Sequence, residues 1–583
     1  MLTKTFSQLK KNQNTVASGL KVTRIAILGD STTQLLCQAL RGLALDQDLD
    51  LQIWEADFNQ IDRQVFDSGS ELFGFKPEIV IVFQSTHKLL DKYNKLDQKH
   101  RAEFAAVQAE LIEKIHETIY GNLKSNVVFY NFPEIDDNVF GNFANKLETS
   151  FLFQLRNLNV KLMLLASRTS SFHLCDLSSI QNKVGKDMMF QPSIYVNFDM
   201  VLTIDILPVV ASRTLDLVAA IMQGKERKCL ILDLDNTLWG GVIGDDGMEN
   251  IQLGTLGIGK AFTEFQYWIK KLKERGIILA VCSKNTESVA KEPFEKHPDM
   301  VLCLDDISVF VANWGNKVDN IRFIKQTLNI GFESMVFLDD NPVERSIVRE
   351  NIAAITVPEL PEDPADYLEY LYSLNLFETL FQSSEDAIRT KMYQVEAQRK
   401  EVQKKFTNED DFLESLNMVS VVETFSKFNT PRVAQLSQRS NQFNLRTIRY
   451  TELDIDCISA DSARFGFAFT LEDKFGDNGI ICVVILERKS KDELFIDSWF
   501  MSCRVLKRGM EIFVLNHLVE FAKEMGFERL IGEYIPTVKN EIVKEHYFDL
   551  GFVFVEGRWK LDLSAYQTMK TFVKKKSVLR LGN

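Results

Sequence analysis

Cys229-Leu-Ile-Leu-Asp-Leu-Asp-Asn-Thr-Leu238 is a short apolar run that ends in two aspartates one residue apart, followed by a threonine. Entered from the charged Lys225-Glu-Arg-Lys228, it reads as a parallel strand covered on both faces. In open parallel sheets, ligands sit beyond the carboxyl ends of the strands. Asp233 and Asp235 fall there and point the same way, because side chains alternate with a period of two. Two carboxylates so close repel each other and call for a cation or a shared proton. A hard divalent ion that takes oxygen ligands, such as Mg2+, is the natural neutraliser.

Three companions follow in order. Gly276-Ile-Ile-Leu-Ala-Val-Cys-Ser-Lys-Asn285 is a second apolar strand ending at Ser283. Asn313-Trp-Gly-Asn-Lys-Val-Asp-Asn320 brings Lys317 to the start of a helical pattern made by Val318, Ile321, Ile324 and Leu328. Met335-Val-Phe-Leu-Asp-Asp-Asn-Pro-Val-Glu-Arg345 is a strand tipped by Asp339 and Asp340. Alone, an aspartate at a strand end is usually a cap or turn residue. The four together resemble the ordered motifs of the haloacid dehalogenase (HAD) superfamily, whose members mostly transfer phosphoryl groups through a phosphoaspartate.

Phosphoryl transfer asks a protein for positioning and for neutralisation of charge on the equatorial oxygens. The resemblance implies Asp233 as nucleophile and Asp235 as the acid that protonates the leaving oxygen and then activates water. That second job suits a carboxyl whose pKa is raised by its surroundings. It also implies that Asn236, Thr237, Ser283 and Lys317 contact the phosphoryl group, with Lys317 acting as a point charge. Asp233, Asp235, Asp339 and Asp340 would hold Mg2+, with Asp340 preferred over Asp339 as direct ligand.

With 583 residues, the chain is too long for one core, and usual domain sizes suggest about three or four units. A formal net charge of -13 argues against nucleic acid as the main partner. No apolar stretch nears the ~20 residues a membrane helix needs, and Met1-Leu-Thr-Lys-Thr-Phe-Ser-Gln lacks a secretory apolar core. The eight cysteines show no CxxC pair and no zinc spacing, which fits reduced thiols and a cytoplasmic location.

Residues 1–200 read as a doubly wound α/β domain. Strands are expected at 23–29, 51–54, 77–83, 125–130 and 160–165, alternating with helices such as 101–119. Gly29-Asp30-Ser31 at the first strand end resembles SGNH-type hydrolases, in which Ser31 would be a nucleophile. Neither His87 nor His173 has the Asp-x-x-His setting of that family, and a serine without a base is a poor nucleophile. A scaffold or partner-binding domain that keeps the turn geometry is therefore expected.

The HAD-like unit is placed at 201–362. About 45 residues separate Asp235 from Ser283, and about 35 separate Ser283 from Lys317. Helices and loops use nearly all of both intervals, so no large cap domain is expected. Residues 363–425 read as a solvated helical connector. Residues 426–583 combine strand patterns at 465–470, 479–487 and 494–501 with a helix at 510–525 and a strand at 529–533. This α+β order resembles the GNAT acyltransferases, although Cys503-Arg-Val-Leu-Lys-Arg-Gly-Met-Glu511 lacks that family's spaced glycines.

The three segments in this order, with Asp233-Leu-Asp-Asn-Thr-Leu-Trp-Gly-Gly-Val-Ile-Gly-Asp-Asp-Gly247 and Gln435-Leu-Ser-Gln-Arg-Ser-Asn-Gln-Phe-Asn444, resemble the FkbH-type proteins, in HAD subfamily IIIC. That resemblance implies loading of a glyceryl unit from 1,3-bisphosphoglycerate onto an acyl carrier protein, with loss of phosphate. Cys282, Gln442, Asn444 and Arg504 are the candidates for the acyl-transfer half, with packing in the strand the more common fate of a residue such as Cys282. The rival reading is a plain Mg2+-dependent phosphatase acting on a phosphorylated metabolite or sugar intermediate.

Overall fold

In a computed structural model of the chain, described for residues 4–13, 20, 22–223, 227–380, 395, 399, 402–403, 406–440, 442–502, 505–537 and 539–576, two compact units are present. The first comprises Met1–Glu226 with Leu374–Phe381; the second comprises Arg227–Ser373 and Gln382–Asn583.

The first unit is built on strands β1 (Val22–Gly29), β2 (Asp50–Glu55), β3 (Ile79–Phe83), β4 (Asn126–Tyr130) and β5 (Phe172–Cys175). They form one parallel sheet in the order β2-β1-β3-β4-β5, the doubly wound arrangement. The expected strand at 160–165 is instead the end of a helix, Phe151–Arg168. Leu155, Leu158, Leu162 and Leu165 are buried on one face, whereas Val160, Met163 and Leu164 are exposed. That is a 3.6-residue period hidden inside an apolar run, and Ser150 starts it by accepting the N–H of Phe153. The fifth strand is the shorter Phe172–Cys175. The domain boundary also moves, from 200 to about 226. Val210, Ala211, Leu215 and Val218 of the helix Leu207–Gln223 lie in the same apolar core as the five strands.

The second unit opens with a four-stranded parallel sheet, β6 (Cys229–Leu232), β7 (Ile278–Ser283), β8 (Ile307–Ala312) and β9 (Met335–Leu338), in the order β8-β7-β6-β9. Strand β8 is not expected from the sequence. β6, β7 and β9 are buried throughout, as a parallel strand covered on both faces must be. Between β6 and β7 lie only a turn, the short helix Ile243–Asp246 and the helix Gly257–Glu274, so no cap domain is inserted there.

The rest of this unit is a nine-stranded sheet containing β10 (Val419–Ser420), β11 (Val422–Thr424), β12 (Arg464–Asp473), β13 (Gly476–Arg488), β14 (Glu493–Met501), β15 (Arg529–Gly532), β16 (Val553–Val555), β17 (Arg558–Asp562) and β18 (Lys574–Lys575). The helix Met510–Glu524 packs its Phe513, Val514 and Leu518 into its core. Because β10 and β11 pair with β12, and Phe412 joins the same core, the connector ends well before 425. Much of 363–425 lies outside the described residues. Among those described, no helix is long and apolar enough to cross a membrane.

Candidate active site

The carboxyl ends of β6 and β9 are adjacent, since β6 pairs with β9 as it does with β7. This brings Asp233, one residue past β6, beside Asp339, one residue past β9. Asp233, Asp339 and Asp340 each offer a carboxylate oxygen within 4.8 Å of the others. Lys317 enters from the first turn of the helix Lys317–Leu328, which Asn316 caps by accepting the N–H of Val318 at 2.8 Å. Its Nζ lies 2.8 Å from Asp233 Oδ2 and 2.5 Å from Asp339 Oδ2.

Burial alone would lower the Lys317 pKa, but the charges of Asp233 and Asp339 outweigh it and hold the ammonium above its ordinary value. Burial, followed by the charge of Asp233, pushes the Asp339 carboxyl up to about 6 and raises Asp340 as well. One ammonium thus faces three carboxylates. Asp233 Oδ1 is buried without a hydrogen-bond partner, an arrangement that calls for a cation or a water. An all-oxygen donor set with net negative charge and an orphaned lone pair suits Mg2+.

The Asp235 carboxylate, also expected at the metal, lies outside this group. Its Oδ1 accepts the indole N–H of Trp239 and the N–H of Ile243, each at 3.0 Å, and its Oδ2 accepts from Asn285 Nδ2 at 2.7 Å. Burial raises its pKa, against the pull of these donors. The chain can double back to make this cradle because Asn236 adopts φ 54° and Gly241 φ 90°. At Gly241 a Cβ would come 2.7 Å from Asp246 Oδ2, so glycine is required there.

Asn236 and Thr237, expected on the phosphoryl group, are turned to internal work. Asn236 Oδ1 accepts the N–H of Gly241 at 2.9 Å. The Thr237 hydroxyl, fully buried, donates to Asp340 Oδ1 at 3.2 Å and accepts the N–H of Asp340 at 3.1 Å. Ser283, the last residue of β7, is buried, and its carbonyl accepts the N–H of Asn313.

The acyl-transfer candidates fare less well. Cys282 is fully buried and burial pushes its thiol up to about 12, so it is not a nucleophile at neutral pH. Its side chain points into the core with Ile231 and Ile321, as the two-residue period from Ser283 dictates. Asn444 is 1% exposed, and its amide is spent on its own turn, donating to Ile448 O and accepting the N–H of Thr447. Gln442 is half-buried beside it. Arg504 lies outside the described residues.

In the first unit, Asp30 accepts the N–H of Ser85 on both oxygens, at 2.9 and 3.0 Å, and burial pushes its carboxyl up to about 6. Ser31 Oγ has no histidine partner. The His87 ring packs against Phe190 and Tyr195, while His173 Nε2 pairs with Asn126 Oδ1.

A parallel sheet whose carboxyl edge gathers three carboxylates around a buried lysine, with no inserted cap, defines the class as a HAD-type phosphatase. Residues 24–219 match the family model of the FkbH N-terminal domain. The N-terminal part of the protein BF1531 from Bacteroides fragilis, which contains a phosphatase domain and was crystallised with Mg, is 53% identical, covers 65% of this chain and is covered over 100% of its own length, with a TM-score of 0.62. The chain belongs to the FkbH family. Weaker likenesses are to the GNAT domain of S. lividans PAT (19% identity, 24% of this chain and 89% of that chain, TM-score 0.20) and to the ribosomal-protein-S18-alanine N-acetyltransferase of Escherichia coli (15% identity, 26% and 97%, TM-score 0.20). No curated protein matches the chain.

Proposed function

We propose that the protein is a Mg2+-dependent phosphatase working through a phosphoaspartate on Asp233, coupled to loading a glyceryl unit from 1,3-bisphosphoglycerate onto an acyl carrier protein. The observation that carries the first half is the grouping of Asp233, Asp339 and Asp340 around Lys317. Mg2+ crystallised with the phosphatase domain of BF1531 supports the same ion here.

Asp233 and Asp340 would hold the ion, with Asp339 beside them, because both Asp339 oxygens already accept donors, from Lys317 and the N–H of Asn341. Bound there, Mg2+ would neutralise phosphoryl charge. Asp233 attacks phosphorus with Lys317 against its carboxylate at 2.8 Å. Asp235, with a raised pKa, gives its proton to the leaving oxygen and then takes one from the water that clears the acyl phosphate. Ser283 and Lys317 meet the phosphoryl oxygens. The absence of a cap domain leaves the site open to a bulky or carrier-borne substrate, which favours the coupled reading over a phosphatase for a free metabolite.

Enzyme, Mg2+, 1,3-bisphosphoglycerate and a candidate carrier protein are to be incubated together and the carrier weighed by intact-protein mass spectrometry. A glyceryl adduct with phosphate release is expected. Phosphate release without any adduct leaves the plain phosphatase, and neither product removes the whole reading.

A further inference from the structure

We infer that Arg345 is a positioning residue for the metal site, setting its Mg2+ affinity by holding, from behind, the peptide that carries Asp339 and Asp340. This rests on the reading of that carboxylate group as a Mg2+ site. Arg345 lies in the first turns of the helix Pro342–Asn351 and is 6% exposed. Its Nη1 donates to the carbonyl of Asp339 at 2.8 Å and to that of Asp340 at 2.6 Å. Its Nε donates to Glu359 Oε2 at 2.9 Å, and the other Glu359 oxygen is held by Arg349 at 2.5 Å.

The two carbonyls belong to the two residues whose side chains complete the carboxylate group. One guanidinium nitrogen therefore fixes where both Cα–Cβ bonds start. On the opposite side the Thr237 hydroxyl bonds Asp340 at its N–H and at Oδ1. The peptide is thus clamped between the turn after β6, through Thr237, and the segment around Glu359, through Arg345. Without the clamp, the buried carbonyl of Asp339 and the half-buried one of Asp340 lose this donor, and the strand end must turn to find another.

Charge alone does not account for the arrangement. Glu359 is shared between Arg345 and Arg349, so the three keep one net positive charge, and what sets Arg345 apart is its directed hydrogen bonds to both carbonyls. A lysine could reach one carbonyl but lacks the planar fork that serves both carbonyls and Glu359 together. Partners one step outside a metal's ligands typically change affinity by about 10- to 100-fold.

The test uses the full chain, with Mg2+ binding measured by isothermal titration calorimetry and Mn2+ binding by electron paramagnetic resonance. R345K and R345Q are expected to weaken Mg2+ about 10- to 100-fold and to regain turnover as Mg2+ is raised, a rescue that a purely structural loss does not show. E359Q leaves the carbonyl contacts in place and is expected to shift affinity only a few-fold. If R345Q does not fold, R345K carries the test. A folded R345K that binds Mg2+ as tightly as wild type overturns the inference and leaves the site reading intact. A wild-type chain that takes up no Mg2+ overturns both.

Discussion

Lys317 Nζ sits 2.5 Å from Asp339 Oδ2, with the two side chains 3% and 0% exposed. A buried ion pair of this kind contributes little net stability, but removing one partner strands the other and costs about 3–5 kcal/mol. Here Asp233 is stranded as well. Lys317→Met should therefore lower the melting temperature sharply in EDTA and abolish turnover. Mg2+ should restore part of the lost stability by taking over the neutralisation, with about 2.7 kcal/mol available at a concentration of 100 Kd. A variant as stable as wild type without Mg2+ would show that the lysine is not the counter-charge of the site.

Asp233→Asn should lose phosphatase activity, because an amide cannot attack phosphorus and ligates a hard cation poorly. In the wild type, beryllofluoride trapping or mass spectrometry should place the phosphoryl group on Asp233. Unchanged turnover in the variant would remove the phosphoaspartate mechanism.

Much of this site was legible because its chemistry sits at strand ends. The apolar runs of β6, β7 and β9 each stop at a residue type that has no place in a core, and the period of two puts Cys282 inward once Ser283 is outward. Three further groups were not legible. Asn285 reaches Asp235 across 50 positions, Thr237 reaches Asp340 across 103, and Arg345 bonds peptide carbonyls, which carry no residue identity. Elsewhere, strand β8 escaped because Ile307-Ser-Val-Phe-Val-Ala312 is entered from Asp299-Met-Val-Leu-Cys-Leu-Asp-Asp306, which has no glycine or proline to mark where a strand begins. At the end of the helix Phe151–Arg168, Leu162-Met-Leu-Leu165 hides a helical face in a continuous apolar run that reads as a strand. The indole N–H of Trp239 serves Asp235, a role the sequence does not signal, since a tryptophan after a turn more often only packs.

Ser31→Ala should leave phosphatase activity nearly unchanged, because the buried Ser31 Oγ has no base to activate it. The scaffold reading of the first unit also expects no serine-dependent hydrolysis of p-nitrophenyl acetate by the full chain. An esterase rate that disappears in Ser31→Ala would show that the Gly-Asp-Ser turn is active after all.

Acid should loosen the C-terminal sheet. Burial lowers the His546 pKa to about 3, below the unfolded value of about 6.5. Because the folded value is depressed, the stability it confers is full above about pH 6.5 and is lost as the pH falls toward 3. Between pH 6.5 and 4.5 the loss approaches ~2–3 kcal/mol, at about 1.4 kcal/mol per unit. In the first unit Asp30 has the opposite sign. Its raised value of about 6 means that acidification below pH 6 favours its folded state, partly offsetting His173, which burial lowers to about 4. Hydrogen exchange in β14, where Trp499 meets the His546 ring at 4.6 Å, should accelerate on acidification. His546→Phe should flatten that dependence while keeping the ring contacts, and an equal acceleration in the variant would assign the acid sensitivity to other groups.

Asp235→Asn separates a transferase from a simple phosphatase. The variant should fold, since the introduced amide can keep its carbonyl toward Trp239 and Ile243, and the amide of Asn285 can turn over to accept from the new NH2. Having no proton to give the leaving oxygen and no base for water, it should release phosphate about 10²–10⁴-fold more slowly, the usual contribution of general acid-base catalysis. Acyl transfer needs neither step if it occurs at another place on the chain. An enzyme with both activities should then deliver a phosphoglyceryl group, heavier than glyceryl by one phosphate, to its carrier protein. Intact-protein mass spectrometry tells the two adducts apart. A variant that modifies no carrier, when wild type does, would mean that dephosphorylation precedes or drives transfer, and a carrier untouched by either protein leaves the plain phosphatase.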